Sequence, residues 1–555
     1  MKFKITTLAI FFSSIFIFAQ DDIYWGNDVP ENWNGNWPDD LKTASEKTNF
    51  SHTANHQDVL DFFAMLKWNS ENVHVFNMFV SDLGRTSPVL VMSNPRIDNP
   101  KDAKASGKTI VYLQGGIHPG ECEGKEALFM VIRDILFGDK KYLLDELIIM
   151  VNPNFNVDGN ETRVVNDGYP MLNGTRRNAA GYDVNRDGIK LQTLNMQGAY
   201  QNVLNKWDPT LIFDTHRMGG TRHGYAIAQA GSNVVTAHKG PRDYVTYTLF
   251  PAIVEEARKS GKIEVGMHCG LNEGWPPTEF THDNSIWSTE AKFMVNAYGL
   301  RNRMAILVET PGGEDFERAI FAQYGYTHAL LEVCYKNGKE MQAMCKQAEE
   351  EVVKTIKTKA ASGNLTNYVS GKYVSDGKIS MPAYRDRKHK IIPGTSVSKL
   401  DRPNKPEMIH DVDLITKPVG TKEAKVPVGY LIPEDMEFIV EKLKRHGVKV
   451  TQLENEISVN GEAFVFDKMY YKRMGFANYQ MTTLDGEFKE ETKTFPAGTY
   501  HVEMAQPFAN VVFYALEPEV RDGFLGWNLM DDYLNNLGAN EKLVSYPIFK
   551  YFTMN

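Results

Sequence analysis

The chain has 555 residues, room for about three to four domains at roughly 150 residues each, or fewer if one is large. Hydrophobic residues at 42% and charged residues at 24% exclude wholesale disorder, collagen-like repetition and a multi-span membrane protein. Lys plus Arg total 61 against 70 Asp plus Glu, and a net charge of -9 gives no electrostatic ground for a nucleic-acid or anionic-membrane partner.

The chain opens with Lys2 and Lys4 ahead of an apolar run over residues 5–18, broken only by Thr6, Thr7, Ser13 and Ser14. The run falls short of the ~20 residues of a membrane span, and Ala19 precedes the polar Gln20-Asp21-Asp22. These features predict a signal peptide over residues 1–19, cut after Ala19, and export to the periplasm or beyond the cell. Ile17, three before the cut, is not small, and an uncleaved anchor is the alternative. No later stretch is apolar for long enough to span a bilayer. Cys122, Cys269, Cys334 and Cys345 match neither a zinc motif nor a dense disulfide framework, and a bridge such as Cys122 to Cys269 is left open.

Residues 20–55, with Trp25, Trp33 and Trp37 among Asn, Pro and Gly, read as an irregular N-terminal arm. Strands are expected at 75–80 and 89–92, around a turn at Asp82-Leu83-Gly84-Arg85. The β-branched apolar runs 109–113 and 147–151 suit strands buried on both faces. Between them, Ala127, Met130, Val131 and Ile135 recur at helical spacing over 123–137. Further strands at 210–213 and 304–308, with helices at 247–260 and, interrupted, at 323–357, complete an α/β domain with a mixed central sheet over residues 56–360. Residues 361–425 read as a linker or irregular region; their first part, to residue 406, is polar, basic and Pro-containing and suits a linker or a loosely structured strand region. From residue 426 a smaller β-rich α+β module is expected, with strands at 429–432, 448–450, 464–466, 499–503 and 511–514 and a helix at 433–446.

The chemistry gathers at predicted strand ends. His118 and Glu121, in Gly115-Gly116-Ile117-His118-Pro119-Gly120-Glu121, are three apart, and imidazole nitrogen and carboxylate oxygen both suit zinc. Alone the pair equally fits a solvated loop His and a helix-start Glu. His216, in Asp214-Thr215-His216 at the end of another strand, offers a third ligand and leaves one tetrahedral position open, as in a catalytic zinc site with one Zn2+ per chain.

Between these lie Asn152-Pro153-Asn154-Phe155-Asn156-Val157-Asp158-Gly159 and Arg176-Arg177 followed by Gly181-Tyr182-Asp183-Val184-Asn185-Arg186-Asp187. The ordered set, closed by Glu309 in Leu307-Val308-Glu309-Thr310-Pro311-Gly312, resembles the zinc carboxypeptidase family typified by carboxypeptidase A, across residues 75–335, roughly half of the chain. The resemblance implies that His118, Glu121 and His216 hold zinc, that Glu309 is the general base, and that Arg176 polarises the scissile carbonyl, with Arg177 the adjacent alternative. It implies that Asn185 and Arg186 bind the substrate's terminal carboxylate and that Asp183 orients a zinc-bound histidine.

Two positions depart from the best-known members: Asp187 stands where they carry Asn, and Arg217 follows His216 where a small residue is common. Arg217 is expected either to reach the pocket and favour acidic substrate side chains or to lie on the surface. Tyr298 has no assigned role. The expected activity is that of an exported metallocarboxypeptidase acting on peptide or peptide-like substrates with a free C-terminus. Peptidoglycan-directed peptidases and small-molecule amide hydrolases share the framework, and a binding protein with a decayed site is the non-enzymatic alternative. Only residues 1–55 precede the expected catalytic domain, so activity without proteolytic activation is expected.

Overall fold

Short apolar runs that fill both faces of a sheet set the centre of the molecule. The computed structural model describes residues 29–165, 172–282, 287–386, 388–391, 398–401, 406–473 and 480–554; the expected signal peptide lies outside them. Eight strands are involved: β1 (Val73–Val80), β2 (Thr86–Met92), β3 (Thr109–Gln114), β4 (Leu147–Asn152), β5 (Leu211–Arg217), β6 (Ile227–Gly231), β7 (Val265–Met267) and β8 (Met304–Thr310). They lie in the order β1-β2-β4-β3-β5-β8-β6-β7. β4, β3, β5 and β8 run parallel to one another, β1 and β2 are antiparallel at one edge, and β6 is antiparallel to β8. The sheet is mixed and flanked by helices.

Side-chain alternation assigns each strand residue to a layer. Val111, Leu113, Leu211, Phe213, Ile306 and Val308 face one way, against helices α1 (Glu123–Phe137), α2 (Phe250–Lys259) and α3 (Phe316–Lys359). Tyr112, Ile212 and Leu307 face the other way, with Tyr200, Trp207 and Tyr298. The helix expected to be interrupted over 323–357 is one unbroken element of 44 residues, about 66 Å long at 1.5 Å per residue. Gly338 serves close packing rather than a break: a Cβ there would lie 2.4 Å from Thr109 Oγ1, so its absence lets the helix settle on the start of β3.

Of the readings open for residues 361–425, the strand reading describes the segment and the irregular linker does not. Most of the segment is a long antiparallel ribbon of β9 (Thr366–Ala383) and β10 (Glu407–Lys425), extended by Glu279–Thr281 and Gly270–Leu271 into a four-stranded sheet. Much of β9 is exposed, so its pairing is held by backbone hydrogen bonds and leaves little hydrophobic signature. The ribbon pins the loop after β5, where Gly224 N–H donates to Pro382 O and Tyr384 N–H to Arg222 O.

Beyond it, β11 (Gly429–Ile432), β12 (Ile457–Arg473), β13 (Gln480–Phe495), β14 (Tyr500–Glu503), β15 (Phe549–Met554) and two short strands form a seven-stranded antiparallel sheet. Helix α4 (Glu437–Arg445) follows the expected pattern, whereas 448–450 is not a strand; Thr451–Gln452 is. Residues 511–514 were also expected as a strand but belong to helix α5 (Ala509–Leu516). Every residue of α5 is buried, and a short run apolar on all sides carries no periodicity to separate helix from strand. The module shares a core with the first half of the chain: Ile189, Leu300, Val352 and Ile356 cluster with Val440, Leu443, Val512 and Phe513. Arg301 donates to His446 O at 2.7 Å, and His446 Nε2 to Ile189 O at 2.7 Å.

All four cysteines are free and buried, so the bridge considered between Cys122 and Cys269 is not formed. Burial pushes the Cys122, Cys334 and Cys345 thiols up to about 12. Among the described residues, no helix is long and apolar enough to cross a membrane.

Candidate active site

In a parallel-stranded region, loops leaving the carboxyl ends of neighbouring strands converge on one crevice. β3, β5 and β8 are such neighbours, and in the register of β5 with β8 Glu309 pairs directly with His216. The loop after β3 is fixed by its backbone: Gly115 N–H donates to Asn152 O, Phe155 N–H to Gly115 O, and Asn156 N–H to Gly116 O. The Asn152–Gly159 stretch thus scaffolds the loop carrying His118. Glu121 N–H then donates to His118 O at 2.9 Å, closing a turn that brings the two side chains together.

His118, Glu121 and His216 form the group of ligand-type side chains, among the described residues, that could hold a metal ion, with ligand atoms within 4.8 Å of one another. His118 Nδ1 lies 3.0 Å from Glu121 Oε1, and His216 Nδ1 2.8 Å from Glu121 Oε2. The far nitrogens face carboxylates: His118 Nε2 is 3.1 Å from Asp183 Oδ1, and His216 Nε2 is 2.8 Å from Asp214 Oδ2. With each Nε2 donating to its carboxylate, both Nδ1 lone pairs point at the oxygens of Glu121. Acceptors this close need a cation or a proton between them, and two imidazoles backed by carboxylates with a third carboxylate in front suit zinc. Burial opposes a proton on His216, but Asp214 and Glu121 outweigh burial and hold the imidazole well above its ordinary value. Burial works against ionisation of Glu121 as well, yet His118 and His216 hold it well below the usual carboxylate range.

Arg176 donates through Nε to Asp183 Oδ2 at 2.9 Å and through a terminal nitrogen to Glu121 Oε1 at 3.2 Å. Arg177 instead donates to Gly181 O. Burial disfavours ionised Asp183, but His118, Arg186 and Arg176 hold its carboxyl far below the usual range. Asn185 is buried beside His216, and its Oδ1 accepts from Met294 N–H at 3.1 Å. Arg186 lies over the Phe293 ring, 4.5 Å from its centre.

Glu309 is enclosed in the same cleft, a cavity of about 950 Å³ lined also by His118, Glu121, Arg176, Asn185 and Arg186. Its Oε1 is 3.8 Å from His268 Nε2, and its Oε2 is buried with no hydrogen-bond partner among the described residues. Burial pushes this carboxyl up to about 8, with Glu121 adding to the rise and His216 and Arg176 opposing it.

Three further positions singled out in the sequence lie beside the site or in the interior. Of the two places expected for Arg217, the surface is excluded: the residue is buried at the wall of the cleft, donating to Gly120 O at 2.9 Å with Nε 3.8 Å from Glu123. Asp187 accepts from Gln192 N–H, Thr193 N–H and the Thr193 hydroxyl and so holds a turn. Tyr298 is fully buried, its hydroxyl donating to Pro209 O, and packs the interior. Sequence reasoning passed over Asp214, although strand periodicity puts it on the same face as His216 two residues later. It also passed over His268, for which no motif gives a signal.

Residues 59–219 match the zinc carboxypeptidase family. The chain carries a zinc carboxypeptidase domain. Carboxypeptidase 2 of Trichophyton rubrum is 26% identical over 507 residues, covering 85% of this chain and 81% of the relative. Carboxypeptidase 2 of Trichophyton tonsurans is 26% identical over 500 residues with the same coverage. Among solved structures, carboxypeptidase A from Helicoverpa armigera superposes with a TM-score of 0.39 at 14% identity, covering 52% of this chain and 75% of that one. The matched carboxypeptidase segment contains His118, Glu121 and His216, and the similarity to the fungal relatives extends beyond it.

Proposed function

We propose that the chain is an exported metallocarboxypeptidase that hydrolyses the amide bond next to a free C-terminal carboxylate. The reading is carried by Glu309, a half-buried strand-end carboxylate whose buried Oε2 is unpartnered among the described residues, facing the same cleft as the His118, Glu121 and His216 cluster. Export is supported by the lysine-flanked apolar run over residues 5–18.

His118, Glu121 and His216 hold one zinc ion, with Asp183 and Asp214 fixing the two imidazoles. When bound, zinc supplies Lewis acidity for a carbonyl and lowers the pKa of water. Asn185 and Arg186 bind the terminal carboxylate, Arg186 offering a planar fork suited to two oxygens. Arg176, held by Asp183 and Glu121, donates to the carbonyl oxygen as negative charge develops there. In its ionised form Glu309 takes a proton at Oε2 from the attacking water, and in the protonated form that its burial favours it gives that proton to the leaving amine nitrogen.

The test is elemental analysis together with hydrolysis of a blocked dipeptide. The expected result is near one zinc per chain, with metal and activity lost together in His118→Ala. Wild-type protein that takes up no zinc when supplied with it would overturn the reading.

A further inference from the structure

The face of the cleft carrying Asn185 and Arg186 is built from two parts of the chain. Residues 290–294 belong to the first half, and their backbone is held by the C-terminal module. Asp522, fully buried, accepts from Lys292 N–H at 2.8 Å, and Tyr514 Oη accepts from Ala291 N–H at 2.9 Å while donating to Asp522. Arg521 of the module lines the cleft itself and pairs with Glu290 at 3.2 Å, and Glu290 also pairs with Lys292.

The segment so held touches both residues proposed to bind the substrate carboxylate. Met294 N–H donates to Asn185 Oδ1 at 3.1 Å, and the Phe293 ring lies under the Arg186 guanidinium. Gly188 N–H donates to Lys292 O at 2.9 Å. A Cβ on Gly188 would come within 2.9–3.0 Å of the carbonyl oxygens of Ala291, Lys292 and Phe293, so the two segments are in direct backbone contact. The path from module to clamp is therefore short and made of discrete contacts: Tyr514 and Asp522 to residues 291–292, and residues 293–294 to Arg186 and Asn185.

We propose that Tyr514, Asp522 and Arg521 of the C-terminal module are positioning residues for the carboxylate clamp, so that recognition of a free C-terminus depends on the module. The inference rests on the proposed function of Asn185 and Arg186 and gives the module a role in the same site. A misplaced clamp weakens binding of the carboxylate, whereas the imidazoles of the metal ligands are held from behind by Asp183 and Asp214.

The test measures, by calorimetry on zinc-loaded full-length protein, the affinities of benzoyl-glycyl-phenylalanine and of its C-terminal amide. Glu309→Gln serves as the parent so that the peptide survives. The parent is expected to prefer the free acid. Tyr514→Phe, which removes the acceptor for Ala291 N–H, is expected to reduce that preference about tenfold, matching the ~1.4 kcal/mol at the upper end for one hydrogen bond. Arg521→Ala is expected to reduce it about threefold. Amide affinity and zinc content stay at parental values in both, which general loosening of the fold would not allow. Arg521 is 61% exposed, so its variant decides the matter should Tyr514→Phe fail to fold. If folded variants keep the full acid preference, the positioning role is wrong and the clamp stands. A parent that binds acid and amide equally removes the clamp and this inference with it.

Discussion

Both halves of the molecule bury charge, and they do so in opposite ways. In the C-terminal module, Glu517 accepts from the Tyr430 hydroxyl on one oxygen and from Lys550 on the other. Lys550 also sits 3.7 Å from Glu462 and 3.5 Å from the centre of the Phe488 ring. That cluster is closed: each Glu517 oxygen has a partner, and none of these residues lines the large cleft. In the first half, two imidazoles turn their inner nitrogens on one carboxylate, and Glu309 keeps an oxygen without a partner, all facing that cleft. Buried charges that satisfy one another hold a fold together, whereas buried charges that converge without satisfaction await a ligand.

Exchanging single groups on either side separates these two behaviours. The largest effect is expected at Glu309→Gln, which should lower kcat by about 10²–10⁴ with little change in melting temperature, as steady-state hydrolysis and calorimetry on the same sample will tell. Lys550→Met should do the reverse. It leaves Glu517 buried without its cation and should cost about 3–5 kcal/mol in denaturant unfolding, with kcat per folded molecule unchanged. An equal loss of activity in both variants would abolish the distinction.

Asp214→Asn probes the support behind the ligands and should weaken zinc binding about 10–100-fold in competition with a chelator. The smallest effect concerns pH. His446 is lowered to about 3, chiefly by burial, with Arg301 and Lys442 adding to the depression and Ile189 O opposing it. The unfolded chain takes up this proton near pH 6.5 and the folded chain does not. The stability is therefore full above ~6.5 and drains by up to about 1.4 kcal/mol per pH unit as pH falls toward 3. His446→Gln should flatten that slope between pH 5 and 6.5 in urea titrations, and an unchanged slope would place the acid sensitivity elsewhere.

The parts of the fold most legible in the sequence are those whose burial leaves a pattern. The runs at 109–113 and 147–151 and the helical spacing at 123–137 are such cases, and helix α1 spans Glu123–Phe137. The ribbon of β9 and β10 left none, because exposed side chains free its strands from any hydrophobic period. Helix α5 hid for the opposite reason, being buried all round. At the site, spacing and strand ends singled out the residues that come together, while for Arg217 the choice between pocket and surface was readable and left open. Neighbouring strand residues face opposite ways, so Arg217 shares a face with Thr215, which packs on Gly124 of α1, and reaches Glu123 of the same helix. No local pattern in the sequence joins Tyr514 and Asp522 to residues 291–292, since that contact spans more than 200 positions.

The sealed thiols make the protein its own reporter of breathing motions. A maleimide or a soluble oxidant meets Cys122, Cys334 or Cys345 only when the surrounding layer parts, because burial keeps each in its unreactive protonated form. Cys122 directly follows Glu121, proposed to hold zinc, and Cys345 lies well along the long helix α3. Their labelling rates therefore clock two separate openings, and added zinc should slow the first clock while leaving the second running at its own pace.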